Sequence, residues 1–121
     1  MNNKFNLSNN EWVRTIDGVE YTWDIPTLIQ FVKEKKYKTI KIPIDALDIS
    51  WSPFDYSNVS EFIKHVRRVK ETDLKYPILI DDLGTICDGW HRVVKAIIEN
   101  KKYIKAIRLK EMPKASSRTV L

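Results

Sequence analysis

The stretch Ile78-Leu-Ile-Asp-Asp-Leu-Gly-Thr-Ile-Cys-Asp-Gly-Trp-His-Arg92 constrains this chain more than any other. Ile78, Leu79 and Ile80 form an unbroken apolar triplet, the pattern of a short buried strand, and Asp82 to Gly84 supply turn chemistry. Thr85 to Cys87 return as a second strand. Asp88-Gly89 breaks the extended pattern, and Val93, Val94, Ala96, Ile97 and Ile98 continue at helical spacing. The spacing therefore predicts a hairpin that runs into a helix, with Trp90, His91 and Arg92 in its first turn.

A helix start carries free backbone N–H groups and the positive end of the dipole, which together attract phosphate. Gly89 has no side chain to keep an anion off the backbone. Arg92 adds a forked, permanent charge, and His91 a donor whose charge changes near neutral pH. The same residues also fit a purely structural account, in which Asp88 caps the helix, Gly89 turns the chain, and His91 and Arg92 are solvated.

Asp88-Gly89-Trp90-His91-Arg92, preceded by Pro77-Ile-Leu-Ile-Asp-x-x-Gly84 and followed by an apolar helix, resembles the ParB/sulfiredoxin superfamily over residues 39–110. The resemblance implies a small α/β (α+β) fold, a mixed sheet with flanking helices, in which a glycine loop and the next helix start hold nucleotide phosphates. By it, Gly89, Trp90, His91 and Arg92 bind phosphate, and Asp88 and His91 assist catalysis, with Asp48 as a further catalytic candidate. The ligand implied is an NTP, ATP or CTP, with Mg2+ as a companion ion and no protein metal site. Sulfiredoxins place a reactive cysteine where this chain has Trp90, so sulfinic acid reduction is not expected. The partition branch has Gly-Glu-Arg-Arg here, and this chain lacks room for that branch's helix-turn-helix and dimerisation parts. Free-serine kinases of this fold carry Asp-Gly-His-His-Arg, which differs only at Trp90. The alternative is a DNA-binding or nuclease-type ParB-like protein of phage or mobile-element origin, acting without NTP chemistry.

At 121 residues the chain has room for one domain, and 43% hydrophobic with 31% charged residues is ordinary for a globular protein. No apolar run approaches membrane-span length and the N-terminus is not a signal peptide, so a cytoplasmic protein without membrane partners is expected. The single cysteine, Cys87, fits a reducing compartment, and two scattered histidines argue against structural zinc. The net charge of +5 favours anionic partners. Nucleotide, DNA and a second copy of the chain are the partners considered.

In chain order, residues 1–38 read as an N-terminal extension, 39–110 as the core and 111–121 as a flexible tail. Met1 to Asn10 are polar and expected to fray. Glu11–Ile16, Asp17-Gly18 and Val19–Trp23 predict a β-hairpin whose Trp12, Tyr21 and Trp23 serve as cross-strand packing or a base-stacking platform. Asp24 and Thr27 are candidate caps for a helix to about Lys36. Thr39–Ile44 reads as a strand, at an edge because of Pro43. The long loop that follows holds Asp45 and Asp48, candidates for a base or a metal partner and equally for turn residues. Its Trp51, Phe54 and Tyr56 could sandwich a nucleobase or close the core. Val59, Phe62, Ile63, Val66 and Val69 form a continuous apolar stripe behind an Asn58/Glu61 capping box. The other face carries Lys64, His65, Arg67, Arg68 and Lys70, read as a solvated face or, through Lys64, Arg67 and Arg68, as DNA phosphate contacts. Asp81 and Asp82 fit turn residues better than a nuclease cluster. Tyr103–Leu109 alternates as a last strand with Ile104 and Ala106 on one side.

Overall fold

The computed structural model describes residues 11–51, 54 and 57–121. The expected fraying of Met1–Asn10 and the role given to Tyr56 lie outside those residues. Strands β1 (Glu11–Ile16) and β2 (Val19–Asp24) form the predicted hairpin, pairing Trp12 with Trp23 and Arg14 with Tyr21. Asp17 and Gly18 both take positive φ, 50° and 76°. That mirror-image turn matches the twist of the flanking strands.

Helix α1 (Ile25–Glu34) follows, with Pro26 in its first turn and Ile25, Leu28 and Val32 buried. Asp24 is its N-cap by backbone conformation but makes no side-chain cap bond, so the capping roles expected of Asp24 and Thr27 are not seen; Pro26 sets the start instead. At its other end Tyr37 N–H donates to the Val32 carbonyl (3.0 Å) and Lys36 N–H to Lys33 (3.1 Å). This is a Schellman cap whose left-handed position is held by Lys36, at φ 56°.

The four-stranded sheet has the order β3 (Ile40–Pro43), β6 (Tyr103–Arg108), β4 (Ile78–Ile80), β5 (Ile86–Asp88). Strand β4 runs parallel to β6, the other pairs are antiparallel, and β3 lies at an edge as Pro43 suggested. Helix α3 (Trp90–Ile98) connects β5 to β6. Alternation divides the strands between two cores. Ile78, Ile80, Ile86, Ile104 and Ala106 pack with Trp90, Val93 and Ala96 of α3. Leu79, Cys87 and Leu109 pack with Trp23, Ile25, Leu28 and Val32. The Ile-Leu-Ile triplet lacks alternation because β4 is covered on both faces.

Two expectations are corrected. Residues 111–121 are not a free tail: β7 (Ser117–Val120) pairs antiparallel with β2 and makes the hairpin a three-stranded sheet, β1-β2-β7. The Trp23 indole N–H donates to the Pro113 carbonyl at 2.8 Å, and Met112 and Ala115 pack on the second core. Helix α2 (Val59–Glu71) is also turned the other way from its pattern. Its Asn58 cap forms, accepting from Glu61 N–H at 2.9 Å. Val59, Phe62, Ile63 and Val66 are exposed, however, and His65, read as part of a solvated face, is buried. The neighbouring helix α3 bonds α2 through His91 and Lys95, beside an open apolar groove that Phe62, Val66 and Val69 share with its Val94 and Ile98. Among the described residues no helix is long and apolar enough to cross a membrane.

The hairpin is tied to the rest by Arg14, whose Nη2 donates to Asp81 (2.8 Å) and Asp82 (2.7 Å). Asp81 is almost wholly buried and also accepts from the Leu83 and Thr85 N–H groups. A buried carboxylate needs such partners, and these make Asp81 a turn residue, as read from the sequence.

Candidate functional site

Helix α3 starts where the motif places it. Gly89 is its N-cap, in the left-handed conformation at φ 99°, and Trp90 is its first helical residue. A Cβ built on Gly89 would lie 2.7 Å from Ile78 Cγ2 and 2.9 Å from Arg92 Nη2. Glycine is therefore required for close packing onto β4 as much as for its φ.

The first-turn side chains go to different partners. Trp90 is buried under the sheet, in edge contact with Trp51 at 5.2 Å between ring centroids. Its indole is part of the core, so of Trp90 only the backbone N–H stands at the helix start. Arg92 turns back, donating from Nη2 to the Pro77 carbonyl at 3.1 Å and lying 3.5 Å from Asp88. Its Nε is buried without a hydrogen-bond partner among the described residues. Burial pushes the Asp88 carboxyl above its ordinary range, and the Arg92 charge and the Gly89 N–H only partly oppose this.

His91 reaches across to α2. Its Nε2 lies 2.9 Å from Nδ1 of His65, and the two rings are nearly parallel, 5.2 Å apart. Phe54 lies over both imidazoles, at 4.4 Å from His65 and 4.7 Å from His91. One hydrogen shared between two neutral rings satisfies both nitrogens. Burial, followed by the positive fields of His65, Arg68 and Arg92, lowers the pKa of His91 to about 4. One helical turn on, Lys95 donates to the Thr72 (2.6 Å) and Lys70 (3.2 Å) carbonyls. These polar links hold the inward face of α2.

The structure thus gathers Asp88, His91, Arg92, His65, Phe54 and the half-buried Arg68 around one helix start. Asp48 does not join them by any described contact. It is exposed and accepts from Ser50 Oγ (2.6 Å) and Ser50 N–H (3.0 Å), which keep its carboxyl below the usual range. Of the residues read as DNA contacts, Lys64 is paired with Glu61 at 3.4 Å, Arg67 is exposed and Arg68 faces the histidines. Sequence reasoning missed His65; its signal was a histidine flanking the apolar stripe three residues after Phe62. Cys87 is buried, donates from Sγ to the Leu79 carbonyl at 3.4 Å, and burial raises its thiol pKa.

Chemically, two guanidinium groups, a neutral imidazole and helix N–H groups suit an anion. They do not suit a divalent metal. Asp88 is the one carboxylate described among them and already faces Arg92, and no group of three or more metal-ligating side chains occurs among the described residues.

Fold and site together describe a mixed α+β protein with a cationic, histidine-bearing helix start between two helices. The chain matches no model of a known protein family, no characterised protein and no solved structure.

Proposed function

We propose that the start of α3 binds the phosphate group of a nucleotide, with Arg92, His91 and Arg68 around the anion. The observation that carries this reading is the left-handed Gly89 at a strand end, which starts a nine-residue helix with His91 and Arg92 in its first turn. The Arg92 N–H is taken by the Gly89 carbonyl at 2.9 Å and the Gly89 N–H by the Asp88 carboxyl, which leaves the N–H groups of Trp90 and His91 as the donors a helix start offers an anion, and the dipole favours negative charge there. The resemblance to ParB/sulfiredoxin nucleotide sites supports the same choice of ligand. His91 is neutral at physiological pH, so its ring serves the anion as a hydrogen-bonding group and is a weak base. In the tautomer where His91 Nε2–H donates to His65, His91 Nδ1 holds the accepting lone pair; in the other tautomer it carries the proton. With that choice of tautomer Nδ1 either donates to a phosphate oxygen or accepts from a hydroxyl.

The test is thermal unfolding with ATP, ADP, CTP, GTP and inorganic phosphate, with and without magnesium. A nucleotide at 100 times its Kd should add roughly 2.7 kcal/mol of stability. Arg92→Lys, which keeps a cation near Asp88 but loses the fork, should reduce that gain while the protein stays folded. No stabilisation by any nucleotide at millimolar concentration would reject the proposal.

A further inference from the structure

At the opposite end of the β4–β5 hairpin from Gly89 lies a groove of about 930 Å³, with Lys35, Lys36, Lys38, Arg108, Lys110 and Asp82 among its lining residues. Lys35, Lys36 and Lys38 come from the end of α1 and the segment after it; Arg108 and Lys110 come from the end of β6. The walls are fixed to each other, because the Lys110 N–H donates to the Tyr37 hydroxyl at 3.0 Å and Leu109 N–H to Ile80 at 2.9 Å. The one carboxylate on the groove does not neutralise it: Asp82 is turned to Arg14 at 2.7 Å. None of the five cations forms an ion pair with a carboxylate among the described residues. On the neighbouring strands Lys41 and Lys105 stand directly opposite each other, both exposed, a like-charge pairing that sheets normally avoid.

Lys36 adds a separate observation. It occupies the left-handed position of the Schellman cap, at φ 56°, where glycine or asparagine is the favoured residue. The last turn of α3 uses Asn100 at the equivalent position, φ 58°. A lysine at this place costs local strain and leads a row of cations.

We infer that this groove binds the phosphodiester backbone of a nucleic acid. A single small anion needs a few converging donors around a tight pocket, whereas these five cations line two walls of an open groove. Flexible, spaced lysines suit a repeating charge, and they position a strand without reading its bases. No residue of α2 or α3 is among those that line the groove.

The experiment is fluorescence anisotropy with a labelled DNA duplex of about 20 base pairs, two helical turns, and the matching single strand, over a salt series. The test variant combines Lys36→Gly, Lys38→Gln and Lys110→Gln; Lys36→Gly removes strain, so the triple variant should unfold no earlier than the parent. Expected are an affinity loss of at least about tenfold and, on the duplex, a salt slope shallower by roughly 2–3, one counterion per lost contact. The comparison variant, Lys64→Gln with Arg67→Gln on α2, should change affinity by less than about twofold. Loss in the α2 variant with none in the groove variant overturns the inference. So does an absence of DNA binding at low salt, including the case where phosphatidylserine vesicles bind instead.

Discussion

Helices α2 and α3 carry comparable apolar patterns, yet α3 buries its stripe and α2 leaves most of its own exposed. In α3, Val93 and Ala96 are fully buried against the sheet and Trp90 nearly so. In α2, Val59 is 71% exposed and Val66 40%, while His65 is 4% exposed. Amphipathicity fixes that a helix has two unlike faces, not which of them meets its neighbour. α3 is delivered by β5 onto an apolar sheet, and burial of about 1.5–3 kcal/mol per large side chain decides its orientation. α2 meets α3 instead, where His91 bonds the inward-facing His65 and Lys95 donates to the Lys70 and Thr72 backbone carbonyls at the end of α2. An unmade buried hydrogen bond costs about 1–3 kcal/mol, enough to compete with that burial.

The sharpest way to break this contrast is to place one charge in each helix. Val93→Asp puts an unpaired carboxylate in the core and should cost more than about 4 kcal/mol, leaving the protein unfolded or nearly so. Ile63→Asp, on the exposed side of α2, should stay within about 0.5 kcal/mol of the parent by urea unfolding. A loss of 2 kcal/mol or more at Ile63, on the scale of a buried site, would mean that the stripe is covered in solution. Sedimentation would then identify a second copy of the chain as the cover.

Glycines at turn positions refine the same point, because α3 depends on a junction that α2 lacks. Gly89→Ala meets Ile78 Cγ2 at 2.7 Å as well as left-handed strain, and should cost about 2–4 kcal/mol. Gly18→Ala has comparable strain at φ 76° but nothing within 4 Å of the added carbon, and should cost only about 1 kcal/mol. Equal losses at the two sites, measured by urea titration, would remove the case that packing against β4 and Arg92 fixes where α3 starts.

How much of this was legible in the residues follows from which force placed each element. The Asp17-Gly18 turn, the Ile78–Ile80 strand and the start of α3 could be read because local chemistry and burial agree there. β7 was not, since all four of its residues are exposed and the ladder to β2 leaves no apolar alternation in Ser117–Val120. Met112 and Ala115, which anchor that segment, are too sparse to show a period. The motif gave the position of His91 but not its partner, because His65 lies 26 residues earlier on another helix. Trp90 shows the converse limit: adjacency to a glycine and a histidine says nothing about which side of the helix its indole occupies.

The smallest of these effects bears on what holds α2 in place. The folded pKa of His91, about 4, lies below its unfolded value of 6.5. The unfolded chain therefore takes up a proton that the folded one rejects. Stability should be flat above pH 6.5, fall as the pH drops from 6.5 to 4, and level off below that; the full shift corresponds to about 3.4 kcal/mol, which solvent screening of the half-buried ring reduces to on the order of 2 kcal/mol. Asp88 acts in the opposite direction: with its pKa raised, its charge costs stability above that pKa, and acidification through it restores some. Asp88→Asn should therefore steepen the acid loss, and His91→Gln should flatten it. Protonation also puts a charge on the half-buried His91 ring beside Arg68 and Arg92, so the contact that turns the polar side of α2 inward should be among the first to fail. Hydrogen exchange at pH 5 should then accelerate in Val59–Glu71 before Trp90–Ile98. Simultaneous loss of protection in both helices would mean that the apolar core, not the imidazole pair, sets the orientation of α2.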